Sequence, residues 1–173
     1  MPVESAHPGA ASAEGMPHVV VGVSASHAGL AALRVAVREA LARHASLDVV
    51  RVWTDLSGMF PMTAADVVGL RNRERADRLL LAEAVEIVQL MAPLLQVDPV
   101  FVPGGLYASL QTRADGAALM VVGNGDDPTT AGLTGDWLCD YAPCPVVVVD
   151  LDGRIVRGRQ HLHQLQQPVA SNV

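Results

Sequence analysis

Between residues 18 and 150 the chain alternates short β-branched runs with longer amphipathic stretches, and no other feature restricts its fold as much. The runs cover 18–23, 47–53, 97–102, 118–122 and 145–150. None shows the regular polar alternation of a half-exposed strand, so each is expected to be covered on both faces. The stretches between them carry helix signals. Ser26 offers an N-cap to a helix reaching about His44, with Leu33, Val37, Ala40 and Leu41 on one stripe and Arg34, Arg38 and Arg43 on other faces. Thr63 opens a second helix that runs to about Met91, supported by the Glu74–Arg78 spacing and closed near Pro93. A third is expected over 106–115, where Leu106 and Leu110 lie one turn apart, and a short fourth over 136–141. Pro99 cannot donate to a ladder, which predicts a short third strand.

Strand and helix in strict alternation imply parallel strands joined by right-handed crossovers. The expected architecture is a single doubly wound α/β domain: a five-stranded parallel sheet with helices on both faces. Such sheets take ligands beyond the carboxyl ends of their strands, where the strand order reverses. If strands one and four are neighbours, those ends are Val23-Ser24 and Gly123-Asn124. Residues 1–16, rich in Ala, Ser, Gly and Pro, read as a disordered leader. The domain is expected over 17–152, and 153–173 reads as a flexible tail.

Half of the 173 residues are hydrophobic but only 3% are aromatic, so the core must be built from Val, Leu and Ala. The net charge of -6 with no basic patch argues against nucleic acid as a partner. All 12 basic side chains are arginine; codon bias explains this, and so would arginine forks selected for phosphate. The 2 cysteines, Cys139 and Cys144, are too few for a disulfide framework and are expected as buried, reduced thiols. No targeting signal and no membrane-spanning run is apparent, so a cytoplasmic location is expected. His161 and His163 lack nearby Cys, Asp or Glu, and no metal site is expected.

Several segments together resemble the universal stress protein family. The residues from Val19 to Ser26, reading VVVGVSAS, resemble the family's opening strand, and Ala31-Ala-Leu33 continues the likeness into the first helix. The segment from Ala114 to Gly123, ADGAALMVVG, resembles the approach to the fourth strand. Residues Ala142 to Val149, APCPVVVV, resemble the closing signature. The resemblance implies strand order 3-2-1-4-5 and a homodimer formed through the last strand. That strand begins at Pro145 and ends at Asp150, and as an uncovered apolar edge it would invite pairing.

Many members of that family bind ATP or AMP in a loop after the fourth strand: Gly, two residues, Gly, nine residues, then Gly with Ser or Thr. Glycines let backbone N–H groups approach phosphate, and the following helix start presents more of them. Gly123 matches the first glycine here, but Asp126 stands at the second, with Gly125 one residue early. The count then reaches Asp136-Trp137, and Gly132, Thr134 and Gly135 fit only if the loop is about three residues shorter. Ser24 stands where the family has aspartate. Each lost charge-assisted hydrogen bond weakens phosphate binding by about 1.5–3 kcal/mol, and Asp126 and Asp127 add like charge.

Two readings follow. The first is a non-catalytic stress-response or interaction protein whose nucleotide site is degenerate and which needs no cofactor. The second is an ATP or AMP sensor whose contacts are Ser24, Gly123, Asn124, Gly125, Gly132 and Thr134. On the second reading, Gly123→Asp abolishes binding; on the first it changes nothing. Catalysis is not expected: His27 lies near Ser24 and Ser26, but neither a nucleophile elbow nor a third partner is visible in the sequence.

Overall fold

The structure, a computed structural model, describes residues 15–54, 61–126 and 131–158. Each β-branched run becomes a strand. In chain order the elements are β1 (His18–Gly22), α1 (His27–Ala42), β2 (Ser46–Trp53), α2 (Ala64–Met91), β3 (Val97–Pro103), α3 (Leu106–Ala114), β4 (Leu119–Gly123), α4 (Leu133–Tyr141), β5 (Val146–Val149) and β6 (Ile155–Gly158).

The sheet has six strands in the order β3-β2-β1-β4-β5-β6. Its first five positions follow the expected order, and all their pairings are parallel. The expectation of a five-stranded, wholly parallel sheet is corrected by β6, which pairs antiparallel with β5. Its turn has a local cause. Gly153 takes φ +78, and the Asp150 carboxylate accepts the amides of Asp152 at 3.0 Å and Arg154 at 2.8 Å. The Asp150 amide donates to the Arg154 carbonyl at 2.9 Å, which closes the hairpin. Residues 155–158, assigned from sequence to the flexible tail, are therefore part of the sheet. The β5 edge, expected to be open for pairing with a second copy, is covered by the chain's own β6.

Alternate strand residues feed two apolar layers, as the period of two requires. Val19, Val21, Val49, Val121 and Val147 meet α1 and α2, whereas Val20, Val50, Met120, Val122 and Val148 meet α3 and α4. Fully burying one such valine contributes about 1.5–3 kcal/mol, so repeated valines offset the scarcity of aromatics. On α1 the buried face is mostly small, with Ala28, Ala32, Ala36 and Ala40, and this lets the helix lie close to the sheet. Leu41, expected on that stripe, is exposed. The α2 start carries a reciprocal cap, with the Thr63 hydroxyl accepting the Asp66 amide and the Asp66 carboxylate accepting the Thr63 amide. Contrary to expectation, β3 is not short but runs seven residues. It is an edge strand, where a proline need not interrupt a ladder. The fourth helix starts at Leu133 rather than Asp136.

Candidate functional site

The chain order reverses between β1 and β4, and both strands end in glycine there, at Gly22 and Gly123. Gly123 is required by packing. A Cβ on it would stand 2.6 Å from the Ala28 carbonyl carbon and 2.8 Å from the Gly29 nitrogen. The close approach of β4 to α1 therefore fixes this residue whatever the ligand. The proposed test by Gly123→Asp is corrected accordingly: that change disturbs the fold on either reading.

Beyond the strand ends opens a cleft of about 370 Å³, within the range typical of small-molecule sites. Its floor comes from the ends of β1 and β2, including Val23, Ser24, Val50 and Val52. One wall is α3, with Leu106, Tyr107 and Leu110; the other is the loop after β4 and the start of α4. All six residues singled out from sequence, Ser24, Gly123, Asn124, Gly125, Gly132 and Thr134, line this one cleft.

The loop is held by its own backbone. The Asn124 amide donates to the Val149 carbonyl and the Gly132 amide to the Asn124 carbonyl, each at 2.8 Å. Gly132 is the N-cap of α4 in the left-handed conformation, φ +84, and gives no side-chain cap. The Asp136 amide makes the first bond of the helix, to the Gly132 carbonyl at 2.7 Å. The amides of Leu133, Thr134 and Gly135 thus have no partner within the helix, and these three residues line the cleft. Backbone donors at a helix start favour an anion.

Asp126 does not stand where the sequence reading put it. Its carboxylate accepts the His27 amide at 2.8 Å and the Ala28 amide at 3.2 Å, at the first turn of α1. These backbone hydrogen bonds hold its carboxyl below the usual range, with a smaller contribution from the His27 ring at 3.2 Å. Asp126 is not among the residues lining the cleft, and its charge is met by the start of α1 instead. Asp127 lies outside the described residues. Ser26 completes the α1 cap by accepting the Gly29 amide at 2.9 Å. The Ser24 and Ser26 hydroxyls lie 2.8 Å apart and share a hydrogen bond, while the His27 ring pairs with Asp126.

Two arginines near the cleft were missed. Arg51, at the end of β2, donates Nε and Nη2 to Asp77 at 3.1 and 2.6 Å and Nη1 to the Val23 carbonyl at 3.0 Å. It braces the floor against α2. The signal for it was the single cation in β2, at the end that points to the cleft. Arg157 on β6 forms an ion pair with Asp136 in the first turn of α4. Among the described residues no three His, Cys, Asp or Glu side chains converge to hold a metal ion. No described helix is long and apolar enough to cross a membrane.

No family model matches the chain. Solved structures do resemble it. The universal stress protein UspA from Lactobacillus plantarum shares 24% identity over 76% of this chain and 96% of its own, with a TM-score of 0.62. A universal stress protein in complex with cAMP shares 22% identity over 79% of this chain and 98% of its own, with a TM-score of 0.59. A universal stress protein family member from Arabidopsis thaliana with AMP bound shares 16% identity over 85% of this chain and 94% of its own, with a TM-score of 0.55. The likeness spans nearly the whole of each of these proteins, and this chain has the universal stress protein fold.

Proposed function

We propose that this chain is a non-catalytic nucleotide-binding protein that takes a nucleoside monophosphate of the AMP class in the cleft between the ends of β1 and β4. The observation that carries the reading is convergence. Six residues chosen from the sequence, and the first three residues of α4, line one cleft. Similar structures with cAMP and AMP bound support it. One argument for a degenerate site loses its force, because Asp126 is turned onto α1 and does not repel a phosphate from the cleft. The loop is about three residues shorter than the family's triphosphate-binding form, which favours a ligand with one phosphate. The Ser26 hydroxyl is committed to the α1 cap and shares a hydrogen bond with the Ser24 hydroxyl, so neither is presented as a free nucleophile.

The competing reading, an interaction protein with a degenerate site, is favoured by one observation. Asp136 brings a carboxylate to the same helix start that would face a phosphate. In either reading a homodimer on this side of the sheet pairs β6 with β6, because β5 is covered.

The test is calorimetric titration of the purified protein with AMP, after checking for co-purified nucleotide. Saturable binding to one site in the micromolar range is the expected result. No heat up to millimolar AMP would overturn the nucleotide reading in favour of the interaction protein.

A further inference from the structure

We propose that Arg157, delivered by β6, binds the phosphate of the nucleotide; the assignment rests on the nucleotide reading of the cleft. In the β5–β6 register Arg157 stands opposite Val148. Val148 is buried beneath α4, where a Cβ on Gly135 would come within 2.7 Å of its Cγ2. The sixth strand therefore lays Arg157 along the start of α4. Its Nη1 is 3.5 Å from the point a Cβ would occupy on Gly132, and the Asn124 Oδ1 is 3.2 Å from the same point. Gly132 lines the cleft beside Leu133 and Thr134. The Arg157 guanidinium is not itself a lining group, but it stands beside Gly132, at the edge of the cleft where the Asn124 carboxamide and the start of α4 meet.

The Arg157 guanidinium is paired with Asp136 through Nη1. A nucleoside monophosphate carries close to two negative charges at neutral pH and presents three acceptor oxygens. Seated on the α4 amides, it competes with Asp136 for the guanidinium, whose planar donors suit phosphate. The loop lacks the family's final Gly with Ser or Thr, and an arginine from an added strand supplies the missing donors. Asp136 keeps the fork in place until the ligand arrives.

A merely structural role, in which the Arg157–Asp136 pair only fastens β6 to α4, predicts different behaviour, and two variants separate the roles. The experiment is calorimetric titration of the full chain and of Arg157→Ala and Asp136→Asn with AMP and with adenosine, alongside thermal melts. The wild type is expected to bind AMP more tightly than adenosine. Arg157→Ala is expected to lose about tenfold or more in AMP affinity, the worth of a charge-assisted hydrogen bond, and to leave adenosine unchanged. Asp136→Asn breaks the same ion pair but frees the cation, so AMP affinity is expected to rise. The assignment is overturned if Arg157→Ala leaves AMP binding intact or weakens AMP and adenosine alike. It is equally overturned if Asp136→Asn weakens AMP as Arg157→Ala does. A wild type that binds neither compound removes the nucleotide reading itself, and this assignment with it.

Discussion

The Asp126 carboxylate accepts the backbone amide of His27 at 2.8 Å, a contact between residues 99 apart in the chain. It ties the loop after β4 to the first turn of α1 and neutralises that helix start from within. The folded state holds this carboxyl below its ordinary value of 3.8, so the stabilisation is present above that pH and is lost as pH falls through the lowered folded value. Asp126→Asn should therefore melt below the wild type at pH 7, with the two curves drawing together in strongly acidic buffer. Coincident melts at neutral pH would show that the contact contributes nothing.

Burial pushes the Cys144 thiol up to about 11, and its sulfur donates weakly to the Pro145 carbonyl at 3.4 Å. At pH 8 it is almost entirely the unreactive thiol. In a Cys139→Ser variant, Ellman's reagent should label Cys144 only as the chain unfolds, with a rate that follows denaturant. Prompt labelling of the native protein would contradict the burial.

Much of this fold was legible because valine runs and helix caps are local signals. Ser26 and Thr63 cap the helices that the sequence assigned to them. The sixth strand was not legible in the same way. Its apolar run is only two residues, Ile155-Val156, both exposed, too short to mark a strand, and Asp152-Gly153 was its turn signal. Site residues that follow a strand end, such as Ser24 and Gly123, could be placed from topology alone. Asp126 could not: spacing put it opposite a phosphate, whereas its partner lies in α1, and no local pattern reveals a contact so distant in the chain. Arg157 was hidden with the strand that carries it.

Asp48 is the one buried charged side chain among the described residues, 6% exposed, on β2 beside the edge strand β3. Desolvation raises its carboxyl above the ordinary value of 3.8; His18 and Arg113 oppose the shift, and Asp98, its register neighbour on β3, adds to it. The sign is the reverse of that for Asp126. The contribution of Asp48 is most favourable below the ordinary carboxylate pKa and is lost as pH rises through the raised folded value. Asp48→Asn should raise the Tm at pH 7, and its advantage should shrink as pH falls towards 3. A variant less stable than the wild type at pH 7 would mean that His18 and Arg113 outweigh the desolvation.

The glycines of the cleft differ in what holds them, and substitution to alanine should rank them. A Cβ at Gly123 meets the backbone of Ala28 and Gly29, at 2.6 and 2.8 Å, and rigid backbone cannot turn aside as a flexible side chain would. Overpacking of this kind costs about 1–3 kcal/mol, and here it also pushes α1 away from β4. Gly125 has φ +81 with its nearest neighbour, the Ala131 Cα, at 3.8 Å, so alanine there meets ordinary contact and only the left-handed strain of about 1–2 kcal/mol. Gly123→Ala should accordingly lower the Tm of the protein without AMP more than Gly125→Ala. A Gly123→Ala protein that melts with the wild type yet no longer binds AMP would instead make this residue a ligand contact whose packing role is dispensable.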